Sequence, residues 1–151
     1  MCGVFVDTNI LIYSEDSSDP AKQGIALRWL EILWERGIGR LSTQVLNEFY
    51  VNTTRKLKPP LPQALARDEI RRYAVWQPWP VDQATIESAF NVETRYGLSY
   101  WDALVIAAAQ HLGCRFVLSE AMGHEVFYGA VQVINPFHAS IDVLSNLEPP
   151  I

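Results

Sequence analysis

Apolar positions along the chain fall into two rhythms. Short runs of apolar, β-branched or aromatic residues lie at Gly3–Val6, Ile38–Leu41, Arg115–Leu118 and Val131–Ile134, which reads as buried strands. Between them apolar residues recur three and four apart, predicting helices over Ala21–Arg36, Gln44–Leu57, Pro62–Trp76, Asp82–Tyr96 and Tyr100–Leu112. The punctuation agrees: Asp19-Pro20 precedes the first long helix, Gly37 and Gly97 follow two others, and Gly113 closes the last. Strands alternating with helices predict an α/β fold, a mostly parallel central sheet with helices on both faces. No repeat or long flexible linker interrupts residues 1–151, so a single domain is expected; the Pro-rich stretches Pro59-Pro60-Leu61-Pro62 and Pro78-Trp79-Pro80 read as loops.

In such a sheet, sites gather beyond the carboxyl ends of the strands. Asp7 stands there, at the end of Val4-Phe5-Val6 and before Thr8-Asn9. Its alternative role is to cap the short helical stretch Ile10–Tyr13. Glu48 falls between Val45, Phe49 and Asn52 on its helix circumference, at the rim of the apolar face, where an ordinary exposed glutamate would also sit. Asp102 is the only charged residue from Tyr100 to Leu112 and shares a face with Val105, Ile106 and Ala109. A lone carboxylate in apolar surroundings is costly unless paired or metal-bound. Ser99-Tyr100-Trp101-Asp102 also has the form of a capping box, and Asp102 can serve both ends.

Composition narrows the picture. The chain has 151 residues, 49% hydrophobic and 19% charged, as in an ordinary globular protein. Its net charge of −5 and pI of about 5.1 exclude a generally basic nucleic-acid coat. They leave room for a nuclease whose acidic site meets phosphate through a metal. Only two cysteines occur, Cys2 and Cys114, with no zinc-like spacing; buried thiols in a reducing compartment are expected rather than a disulfide. The sequence shows neither a signal peptide nor a span of apolar residues long enough for a bilayer, so no membrane association and a cytoplasmic location are expected.

Three segments, VFVDTNILIY, STQVLNEFY and LSYWDALVIAAA, resemble in order and approximate spacing the PIN-domain ribonucleases, especially the VapC-type toxin subunits of bacterial type II toxin–antitoxin pairs. The resemblance runs from the first strand to Asn135-Pro136-Phe137. It implies a PIN-like three-layer α/β/α sandwich and a metal-dependent endoribonuclease. Asp7, Glu48 and Asp102 would bind Mg2+ or Mn2+, with Thr8 and Asn9 ordering the site. It also implies an RNA substrate, a cognate antitoxin protein and a homodimer. Mg2+ prefers hard oxygens and keeps several waters, which suits a few carboxylates plus substrate phosphate.

One departure stands out. Family members often carry Ser-Glu-Asp after the fourth strand of the sequence, and this chain reads Ser119-Glu120-Ala121. Glu120 is the candidate substitute for the fourth acid, and Ser119 a candidate holder of water at the site. Loss of a second metal is the other outcome.

The remaining chemistry is thinner. His111, His124 and His138 fit structural or surface roles, with His124 alone placed near the crevice. Arg55-Lys56-Leu57-Lys58 with Arg67, Arg71 and Arg72 forms the densest basic region, the place to grip RNA or simply a solvated face. Trp29 and Trp34 join Ile25, Leu30 and Leu33 in a stripe that is mostly core, with part of it available as a dimer surface or an antitoxin groove. Two rival readings remain: a degenerate PIN scaffold that binds RNA or a partner without cutting, and a haloacid-dehalogenase-type phosphatase. The second expects an acid where Asn9 stands and leaves Glu48 unused.

Overall fold

The computed structural model describes residues 3–147; Cys2 lies outside them, and Cys114 is buried. Five strands, β1 (Val4–Val6), β2 (Gly39–Arg40), β3 (Phe116–Leu118), β4 (Phe127–Tyr128) and β5 (Val131–Ile134), form one sheet in the order β2-β1-β3-β5-β4. β1 pairs in parallel with β2 and β3, and β3 with β5; only β4 runs antiparallel, beside β5. The helices are α1 (Thr8–Glu15), α2 (Pro20–Arg36), α3 (Thr43–Arg55), α4 (Gln63–Arg72), α5 (Gln83–Tyr96) and α6 (Tyr100–His111). Val4, Phe5 and Val6 are all fully buried. Successive strand side chains point to opposite faces, so both faces of the sheet are covered. That is the α/β sandwich expected from the alternation of elements.

Several boundaries differ from the sequence pattern. The helix expected over Pro62–Trp76 ends at Arg72 and tightens into a 3-10 turn, Tyr73–Trp76. The turn packs Tyr73 and Trp76 against Trp34, with ring centroids 5.4 and 4.7 Å away. Gly39 leaves room for this cluster: a Cβ there would lie 2.3 Å from the Trp76 ring. The stretch Pro78–Pro80 is not a free loop. Trp79 bridges to Ser42, accepting from the Thr43 N–H (3.0 Å) and donating to the Leu41 carbonyl (3.0 Å). In the α2 stripe, Trp29, Leu30 and Leu33 are core, whereas Ile25 is exposed. β4 escaped the sequence pattern because two residues are too few to show a period. Its signal was Gly129-Ala130, a two-residue connection with Gly129 at φ 62°.

Candidate active site

The parallel register sets the first contact. Val6 pairs with Leu118, so the residues that follow, Asp7 and Ser119, leave adjacent strands side by side. The Asp7 N–H donates to the Leu118 carbonyl at 2.9 Å, and Ser119 Oγ donates to Asp7 Oδ2 at 2.8 Å. Asp7 also caps α1: its Oδ1 accepts from the Thr8 N–H at 2.8 Å. Capping and site placement, alternatives in the sequence, therefore coexist in one carboxylate. Asn9 ties the loop together, its amide donating to Asp7 Oδ2 (3.3 Å) and Ser119 Oγ (3.2 Å) while its Oδ1 accepts from the Glu120 N–H (3.3 Å).

Glu48 arrives from α3. Ser42 caps that helix, accepting from the Val45 N–H at 3.4 Å, and the Trp79 bridge fixes where the helix begins. Glu48 Oε1 is buried without a hydrogen-bond partner, as is Thr8 Oγ1. Gln44, and less strongly the Thr8 hydroxyl, favour the charged form of Glu48. Asp102 comes from the first turn of α6. Its N–H donates to Ser99 Oγ at 3.2 Å, so one half of the capping box forms. Among the described residues no bond returns from its carboxylate, which stays available.

The three acids feel one another. Burial pushes the Asp7 carboxyl up to about 6 against the opposing pull of Ser119 and the Thr8 N–H, and the charges of Asp102 and Glu48 raise it further. Burial likewise raises Glu48, with Asp102 adding to it. Such mutual repulsion with a buried orphan oxygen is an arrangement in need of a cation. Among the described residues, no three His, Cys, Asp or Glu side chains stand together as a ready-made metal cage. An open set of hard oxygens fits an ion that keeps its waters and takes few protein ligands, and on these grounds the donors suit Mg2+ or Mn2+.

Glu120 is held elsewhere. Its carboxylate pairs with Lys22 Nζ at 2.6 Å and accepts from the Tyr13 hydroxyl, and these two hydrogen bonds hold it below the usual carboxylate range despite its partial burial. Lys22 also lies 4.7 Å from the Tyr13 ring centroid. The expected fourth acid thus spends its charge on α2 and contributes only its backbone to the Asp7 loop. Lys22 and Tyr13 carried no motif that could have marked them: they meet Glu120 only through packing of α1 on α2.

The other candidates separate from the acids. His124 accepts from the Asn135 N–H and borders a cavity with Glu125 and His138 that none of Asp7, Glu48 or Asp102 lines. His111 meets Ser88 and stacks on Trp79. Arg71 and Arg72 pair with Asp68 and Glu69 on α4 itself, and Arg67 donates to the Tyr50 hydroxyl. Lys56 is the member of the basic region that faces the acidic side, in a cleft of 650 Å³ whose lining includes Glu48.

The PIN domain family model matches residues 4–120. The chain belongs to the PIN domain family. The match begins at β1 and ends at Glu120, so it spans Asp7, Glu48, Asp102 and Glu120. Among solved structures, the chain is similar to Mycobacterium tuberculosis VapC20, described as a sarcin-ricin loop cleaving toxin. The two share 25% identity over 76% of this chain and 87% of that one, with a TM-score of 0.61. No curated protein matches the sequence. Family membership removes the phosphatase reading, which shares only the strand ending in an acid.

Proposed function

We propose that the protein is a Mg2+- or Mn2+-dependent endoribonuclease serving as the toxin of a toxin–antitoxin pair, with Asp7, Glu48 and Asp102 as its metal-holding acids. The observation that carries this reading is the convergence of acids from the end of β1, from α3 and from α6, where burial and neighbouring negative charge push the Asp7 and Glu48 carboxyls up around a buried, unpartnered Glu48 oxygen. The likeness to VapC20 supports an RNA substrate and an antitoxin partner.

A bound divalent ion would supply Lewis acidity and offset the charge of a phosphodiester. The chain's own groups do the rest. Ser119 and Asn9 orient Asp7 by fixing Oδ2, and the Thr8 N–H fixes Oδ1, so the carboxylate presents a set geometry. Glu48 and Asp102 flank it as further hard donors, and Glu48 also offers a carboxylate able to take a proton from water beside the phosphate. No nucleophilic Ser, Cys or His is required.

The test is cleavage of mixed transfer and ribosomal RNA by purified protein, with Mg2+ or Mn2+ against EDTA and with Asp102→Asn alongside. Metal-dependent cutting lost in the variant supports the reading. One observation favours a second reading, the degenerate scaffold: Glu120 is locked to Lys22, and Ala121 leaves no acid beside it. Folded protein, free of any copurified partner, that binds RNA yet cuts with neither metal would decide for the scaffold.

A further inference from the structure

The cleft that Glu48 lines carries features beyond the three acids. Its floor holds Gln44, more than nine-tenths buried. The Gln44 Nε2 donates to the Trp101 carbonyl at 3.2 Å, which fixes the amide's orientation and leaves Oε1 buried without a partner. A buried acceptor without a donor is a position a ligand's N–H can fill. One wall is Trp101, 63% exposed although the helix behind it is almost wholly buried. Trp101 does not stand alone: its ring meets Tyr100 at 5.3 Å, and Tyr100 meets Phe90, itself exposed, at 5.9 Å. These rings make an aromatic strip leading to the cleft. Lys56 also lines the cleft and is exposed, with no ion pair among the described residues.

We propose that this cleft is a nucleobase subsite: one unstacked base of a single-stranded or looped RNA lies on Trp101, presents an N–H edge to Gln44 Oε1, and leaves its phosphate toward Lys56. The proposal rests on the ribonuclease reading and deepens it by naming the side chains that hold a base beside the acids. A flat indole in water stacks on any base face, and stacking platforms with a nearby cation are how single strands are held. The volume of 650 Å³ suits a nucleotide-sized ligand. A duplex keeps its base faces stacked away, so it cannot use the Trp101 face. A protein segment would fill apolar area here but has less use for an exposed cation and a buried acceptor beside an acidic site.

The experiment is fluorescence anisotropy of labelled short homopolymer oligoribonucleotides and a matching duplex, with Ca2+ in place of Mg2+. The proteins are the wild type, Trp101→Ala, Trp101→Phe and Gln44→Met, each checked for folding by thermal melting. Single strands should bind more tightly than the duplex. Trp101→Ala should weaken single-strand binding roughly tenfold, with Trp101→Phe retaining most of it, and Gln44→Met should flatten the preference among homopolymers. Wild-type affinity in Trp101→Ala, or equal binding of duplex and single strand, would overturn the subsite. So would unchanged RNA binding in Trp101→Ala together with lost capture of a partner protein. Cleavage of the same strands with Mg2+ separates the two readings. Normal cutting with Trp101 indifferent removes the subsite and keeps the nuclease, whereas Trp101-dependent binding without cutting keeps the subsite and removes the nuclease.

Discussion

Ser119 Oγ donates a 2.8 Å hydrogen bond to Asp7 Oδ2 across the β1–β3 register. That hydroxyl is the strongest interaction favouring the charged form of Asp7 against burial. Ser119→Ala should therefore raise the Asp7 carboxyl further and move the acidic limb of the cleavage pH profile to higher pH. The rate should fall by about 10- to 100-fold, as when a group that orients a metal ligand is removed. An unmoved limb would show that Asp7 does not govern it.

The elevated Asp7 carboxyl gives the metal-free protein a distinct stability profile. Its folded value, about 6, exceeds the ordinary 3.8, so the folded state binds the proton more tightly than the unfolded chain does. Stability is full below the unfolded value and declines as pH rises through the folded one, by about 3 kcal/mol for this group. Melting temperatures measured in EDTA should fall between about pH 4 and pH 6 and recover when Mn2+ is added at neutral pH. Asp7→Asn should flatten that fall and make the metal-free protein more stable at neutral pH than the wild type, while abolishing cleavage.

Glu48→Gln and Asp102→Asn each remove one hard donor while preserving shape. Each should lower cleavage by at least about 100-fold, the scale of several kcal/mol of charge stabilisation at a metal. Folding should persist, because burial penalises the Glu48 charge and the cap on α6 uses the Asp102 backbone rather than its carboxylate. Initial rates beside circular dichroism check both halves of the expectation.

Glu120→Ala separates the latch from the site. Because Glu120 is turned to Lys22 and Tyr13, its loss should change the cleavage rate by less than about fivefold, in keeping with a partly exposed ion pair. A loss as large as that of Asp102→Asn would place Glu120 among the metal ligands after all.

Gly39→Ala tests the scaffold that aims Glu48. The added Cβ would stand 2.3 Å from the Trp76 ring, and overpacking of this kind costs about 1–3 kcal/mol. Thermal melting should show the drop.

The α/β alternation was legible in the sequence because buried strands and amphipathic helices differ in period, and local caps punctuate them: Asp19, Ser42, Asp82 and Ser99 each accept from a backbone N–H of the helix they begin. The position of Asp7 was legible for the same reason, since a parallel strand delivers its next residue to the carboxyl edge. What the sequence could not decide was which side chains meet across long separations. The Asp7–Ser119 bond depends on β1–β3 register, and the Glu120–Lys22 pair on where α2 sits relative to the end of β3. The cleft at Glu48 depends on Trp79 bridging to Ser42. Each is a contact between residues far apart in the chain, fixed by the packing of buried faces rather than by any local preference. Glu120 shows the difference most plainly: its neighbours in sequence point to the acidic site, and its neighbours in space hold it away.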